Sequence, residues 1–94
     1  MSAPVVLYGA SELGRDAVSV FPALAAAGQP RAVLGFVDDD AGKHGSRLLG
    51  LEVLGGFPWL EGRQGEVEVL IVVGEPSIRR SLAERLNHAG HRFA

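Results

Sequence analysis

The sequence predicts an α/β domain: three αβα layers around a short parallel sheet of four or five strands. Three observations predict it. The apolar runs Val5–Tyr8, Ala32–Val37 and Val67–Val73 read as strands buried on both faces. Stretches with apolar residues at spacings of three and four separate or follow them, the pattern of helices lying on a sheet. Each run closes on a turn residue, Gly9, Asp38 or Gly74. Strand, helix and strand joined by short connections form parallel, right-handed βαβ units.

The chain's 94 residues suffice for one domain with a modest core. A formal charge of −2 and the absence of a basic stripe interleaved with aromatics argue against a nucleic-acid surface. With no cysteine, a disulfide frame or thiolate metal site is excluded. No run reaches membrane-spanning length, and the first residues lack the pattern of a signal peptide, so a cytoplasmic protein is expected. Internal repeats and low-complexity segments are absent from the pattern.

Taken in order, Val5–Tyr8 is the first strand and Ser11 the N-cap of the following helix. Leu13, Ala17, Val20, Phe21 and Leu24 form that helix's apolar stripe. Pro22 predicts a kink near 18–22 or an early end, and Gly28 with Pro30 closes the helix. Ala32–Val37 is the second strand and ends at Asp38-Asp39-Asp40. Residues 41–50 read as a loop, Leu51–Leu54 as a short strand, and Gly55-Gly56 as a turn. Phe57–Leu60 reads as a single helical turn, with Trp59 a plug over the sheet edge, and Arg63–Gly65 as a polar connection. Val67–Val73, the strongest strand signal, is expected at the centre of the sheet. Pro76 opens a helix whose stripe is Ile78, Leu82, Leu86 and Ala89, with Arg79, Arg80, Glu84 and Arg85 on wet faces. Gly90 ends it, and 91–94 reads as the beginning of one more strand, as in an excised N-terminal domain.

The chemistry concentrates in residues 9–14. A strand, a glycine turn and a helix N-terminus make an anion site, because the free N–H groups of the first helical turn and the macrodipole favour negative charge. Gly9-x-Ser11-x-x-Gly14 is the Rossmann-like dinucleotide fingerprint with serine at its middle glycine. Gly9 permits the tight turn, Gly14 permits close packing of helix on strand, and the Ser11 hydroxyl caps the helix or donates to phosphate. Asp38 falls at the carboxyl end of the second strand, beside that turn, where it suits a ribose diol of NAD or of a uridine nucleotide equally. A structural turn is the competing reading for each of these residues. His44, His88 and His91 lack the convergent spacing of a metal site and are expected to be solvated. Ser11 sits in no Gly-x-Ser-x-Gly elbow, so no hydrolase site is read. Arg79 and Arg80 fall near the carboxyl edge, within reach of a ligand there or on a solvated face.

Tyr8-Gly9-Ala10-Ser11, Phe36-Val37-Asp38-Asp39, Leu49 to Gly56, and Val73-Gly74 followed by Ile78-Arg79 occur in that order. In this the chain resembles the N-terminal domain of bacterial sugar acyltransferases of the sialic acid O-acetyltransferase and bacillosamine N-acetyltransferase type. The resemblance implies a Rossmann-like domain that binds the nucleotide-sugar acceptor. In that family a left-handed β-helix of hexapeptide repeats follows, trimerises, binds acetyl-CoA and carries the catalytic histidine. Ser11, Glu12 and Leu13 match positions that contact the diphosphate and sugar. Asp38 and Asp39 match a pair beside the nucleoside, and Gly74 the floor of the same crevice. The family's turn has Gly-His where this chain has Glu12-Leu13, which places a carboxylate in the first turn; Arg15 is placed to offset it or to reach a phosphate itself.

The resemblance therefore implies a substrate-binding domain with binding residues Gly9, Ser11, Glu12, Leu13, Gly14, Asp38, Asp39 and Gly74. No catalytic residue, metal or cofactor is expected within it. Its partner is a UDP-sugar or similar nucleotide-sugar used in surface polysaccharide or glycoconjugate synthesis, with acetyl-CoA serving the intact enzyme. That enzyme is expected to be a homotrimer and this domain a monomer or weak dimer. Two alternatives stand beside it: the NAD(P)-binding domain of a nucleotide-sugar dehydratase or epimerase, and a non-catalytic module that senses a dinucleotide or CoA.

Overall fold

The computed structural model describes residues 3–15, 18 and 32–94. Six strands form one sheet in the order β3-β4-β2-β1-β5-β6. They are β1 (Val5–Tyr8), β2 (Val33–Val37), β3 (Arg47–Leu48), β4 (Leu51–Gly55), β5 (Glu68–Ile71) and β6 (Arg92–Phe93). All neighbours pair in parallel except β3 and β4. Two helices are described, α1 (Phe57–Leu60) and α2 (Pro76–His88). The fold is the Rossmann-like α/β arrangement that the apolar runs predict, with six strands instead of four or five. The added strand is the two-residue β3, too short to show a period of two in sequence, whereas β6 is the strand expected at 91–94.

β1 lies between β2 and β5, and all four of its residues are buried. Because side chains alternate, Val6 and Tyr8 enter one core with Val37, Val69, Leu60, Leu82 and Leu86. Val5 and Leu7 enter a second core on the opposite face with Phe36 and Val53. The central position thus belongs to β1. The strong run 67–73 supplies β5, one strand from the edge, because β6 covers it with only two residues.

The first helix stripe falls largely outside the described residues: Ala17, Val20, Phe21, Leu24, Gly28 and Pro30 lie there, as does the expected kink at Pro22. Gly14, Arg15 and Val18 have helical backbone. Leu13 departs from the expected stripe, with 61% of its surface exposed, since it stands in the turn that precedes the helix.

α2 begins as expected, with Pro76 at its start. Its cap is Glu75, whose carboxylate accepts from the N–H groups of Ser77 and Ile78 at 3.0 and 3.1 Å. Leu82 and Leu86 are buried, each side chain worth about 1.5–3 kcal/mol of burial. Ile78 lies in the first turn and is 51% exposed, contrary to the stripe expectation. The helix ends in a paired turn: Gly90 N–H donates to Asn87 O and His91 N–H to Leu86 O, with Gly90 at φ +85°. That closure turns His91 inward. The side chain is 5% exposed rather than solvated, packs edge-on to Phe57, and neither ring nitrogen has a hydrogen-bond partner.

Residues 41–50 contain more than a loop. A 3-10 turn spans Ala41–Lys43, and β3 pairs with β4 through a two-residue turn at Leu49-Gly50, both with positive φ. Trp59 packs on Gly55 and is covered by the Arg63 guanidinium at 4.1 Å, in keeping with its reading as a plug.

Candidate functional site

The carboxyl ends of β1, β2 and β5 meet at one edge of the sheet, and the residues singled out by sequence gather there. Gly9 leaves β1 with its N–H bonded to Val37 O at 2.8 Å and φ at +117°. A Cβ on Gly9 would stand 2.9 Å from Val72 O, so glycine alone fits between β1 and the chain leaving β5. Ser11 caps the first turn: its Oγ accepts Leu13 N–H at 3.3 Å and its carbonyl accepts Gly14 N–H at 3.0 Å. Gly14 lies under the Phe36 ring, 2.9 Å from where a Cβ would be, which is the close helix–sheet packing the fingerprint requires.

Glu12 and Arg15 form an exposed pair at 2.5 Å, so the cation does offset the carboxylate of the first turn. Leu13 reaches the other way, over Gly74. A Cβ on Gly74 would stand 3.2 Å from Leu13 Cδ1. Beneath Leu13 a cleft of about 210 Å³ opens, floored by Ile71, Val72, Val73 and Gly74 and flanked by Arg79. The Arg79 Nε–H donates to Val73 O at 3.2 Å.

Asp38 is tied into the scaffold. Its Oδ2 accepts Ala10 N–H at 2.8 Å and its Oδ1 accepts Asp40 N–H at 2.8 Å. Lys43 Nζ lies 3.8 Å from Oδ2 and donates to Ala10 O at 3.0 Å. One carboxylate and one ammonium thus hold the glycine turn and the β2 loop together. Asp39 turns aside. It accepts the Tyr8 hydroxyl at 2.5 Å and pairs with Arg85 at 3.1 Å. Burial first, and then the bond to Asp39, push the Tyr8 hydroxyl's pKa well up, so it stays protonated as donor. Asp39 and Arg85 border a second cleft of about 380 Å³ along α2, with Ser77, Ile78, Ser81 and Leu82.

Gly9, Ser11, Gly14 and Asp38 are therefore brought together, as are Leu13 and Gly74, whereas Asp39 belongs to the α2 side. Lys43 and Tyr8 join the site without a sequence signal, because their partners lie 33 and 31 residues away. Arg85 reads as a wet-face residue from its own helix, yet it stacks on the Phe57 ring at 4.6 Å and holds Asp39. Among the described residues no group of three or more His, Asp or Glu side chains converges on a metal position. No described helix is long and apolar enough to cross a membrane.

Residues 4–86 match the family described as the PglD N-terminal domain. The chain belongs to that family. Its fold recurs in a perosamine N-acetyltransferase from Caulobacter crescentus, solved with CoA and GDP-perosamine, at a TM-score of 0.63 and 24% identity over 97% of this chain. It recurs also in the acetyltransferase domain of PglB from Neisseria gonorrhoeae, solved with acetyl coenzyme A, at 0.66 and 24% over 97%. A second structure of that PglB domain gives 0.65 and 25% over 96%. The chain spans 40–42% of the length of these structures. No curated protein matches the chain in sequence.

Proposed function

We propose that this PglD N-terminal domain holds the nucleotide-linked sugar acceptor of an acetyl-CoA-dependent sugar N- or O-acetyltransferase. Residues 1–94 act as one substrate-binding unit of a longer bacterial enzyme. The observation that carries the reading is the cleft beneath Leu13, which opens directly beside a glycine turn and a capped helix start. Acetyl-CoA and the base that activates the sugar's amine or hydroxyl belong outside this unit, on a trimer-forming β-helix. The intact enzyme works in the cytoplasm on precursors of surface polysaccharide or glycoconjugate.

In this reading the first-turn N–H groups and the helix dipole meet the diphosphate. Gly9 and Gly74 keep backbone low enough for the ligand to approach. Asp38 holds the turn in its binding conformation, and the nucleoside lies along the β2 loop near Asp38 and Asp39. The domain contributes affinity and alignment, which lower the entropic cost of the acyl transfer.

Calorimetric titration with a GDP-linked amino sugar, a UDP-linked amino sugar and NAD tests it. Binding of a nucleotide-sugar without NAD is the expected result. Binding of NAD alone overturns the reading in favour of a dehydratase-type or sensor domain.

A further inference from the structure

Five described cations stand at or near the carboxyl edge: three, Arg15, Arg85 and Lys43, are already engaged with carboxylates, and of Arg79 and Arg80 it is Arg79 that lines the cleft beneath Leu13. Arg15 holds Glu12 at 2.5 Å, Arg85 holds Asp39 at 3.1 Å, and Lys43 stands 3.8 Å from Asp38. Among the described residues no carboxylate pairs with Arg79. It lies one turn into α2, and its side-chain hydrogen bond, from Nε to Val73 O at 3.2 Å, holds the guanidinium at the cleft beneath Leu13. Among the described residues the remaining lining of the cleft is apolar or glycine, and Arg79 supplies its charge.

The usual source of anion affinity at such an edge is reduced here. The N-terminus of α2 is occupied by its own Glu75, whose carboxylate takes the N–H groups of Ser77 and Ile78. The first turn after β1 carries Glu12. A diphosphate arriving there needs a positive partner that is not already neutralised, and a guanidinium offers paired N–H donors to phosphate oxygens.

We propose that Arg79 binds a phosphate of the acceptor's diphosphate at the mouth of this cleft. The proposal rests on the acceptor-binding reading above and assigns it a specific anchor. Arg79 supplies the charge that Glu12 and Glu75 withdraw from the two helix starts. The apolar floor of Ile71, Val72 and Val73 then lies beside the phosphate.

Titration of the 94-residue chain with UDP, UMP, GDP and GMP tests it, using wild type, Arg79→Met, Arg79→Lys and, as a control on the same helix, Arg80→Met. The wild type is expected to prefer diphosphate over monophosphate. Arg79→Met is expected to lose about 10- to 100-fold in diphosphate affinity and to lose that preference, since a charge-assisted bidentate contact is removed. Arg79→Lys recovers part of the loss, and Arg80→Met binds as wild type does. An Arg79→Met that binds diphosphate as wild type does overturns the proposal and leaves the acceptor-binding reading standing. So does an Arg79→Met that weakens mono- and diphosphate equally, which marks a structural role. A wild type that binds none of the four nucleotides overturns the acceptor-binding reading and this inference together.

Discussion

Asp38 Oδ2 accepts the backbone N–H of Ala10 at 2.8 Å, across 28 residues of sequence. This bond joins the loop after β2 to the turn after β1, and the second carboxylate oxygen braces Asp40. An acid at the end of the second strand thus serves first to shape the site. Asp38→Ala strands two backbone donors and is expected to cost about 1–3 kcal/mol of stability. A urea unfolding midpoint lowered with unchanged slope is the check. Asp38→Asn, which keeps one acceptor oxygen, falls between the two.

Gly74 keeps the cleft beneath Leu13 open. Gly74→Val fills it and is expected to lower nucleotide-sugar affinity by about tenfold or more, because ligand and side chain compete for the same space. The position is exposed, so the far-ultraviolet dichroism and thermal midpoint stay near wild type. Gly14→Ala differs: its methyl meets the Phe36 ring, and overpacking is expected to cost about 1–3 kcal/mol.

Glu12 opposes the anion that the turn would otherwise attract. Glu12→Gln is expected to raise diphosphate affinity by about two- to fivefold, the effect of about 0.3–1 kcal/mol for one charge at a helix start. Its partner Arg15 is exposed, so the loss of the pair changes stability by less than about 0.5 kcal/mol. Titration at low and high salt checks both, since the gain shrinks with screening.

His91 predicts an acid-sensitive fold. Burial lowers its pKa below 6.5, so the folded state prefers the neutral ring while the unfolded chain protonates near 6.5. As the pH falls below 6.5 the unfolded state binds the proton first. The stability held above that pH is then lost down to the folded pKa. His91→Leu removes this dependence. The difference between wild-type and His91→Leu thermal midpoints, followed from about pH 7.5 to about pH 5, isolates the contribution of this ring.

The order of elements was legible because β1, β2 and β5 are continuous apolar runs and α2 carries Leu82 and Leu86 one turn apart. Gly9, Ser11 and Gly14 were legible because each answers a local demand: a turn, a cap and a close approach. The rest depends on contacts distant in sequence. The central position went to β1 because sheet order is set by pairing partners, which apolar strength in one run does not encode. His91 looks like a solvated helix-end residue until the closing turn of α2 directs it inward. Lys43 gives no local sign that it reaches Ala10, and Asp39 none that Tyr8 and Arg85 draw it to the α2 side.

The most direct measurement is amide chemical-shift mapping of the ¹⁵N-labelled domain while a GDP- or UDP-linked sugar is added. Shifts are expected to concentrate at Gly9 to Gly14, Asp38, Asp39, Gly74 and Arg79, with the β3–β4 hairpin and the Gly90 turn unmoved. Shifts centred on that hairpin or on the β6 edge, or a spectrum that does not change, would contradict the acceptor-binding reading.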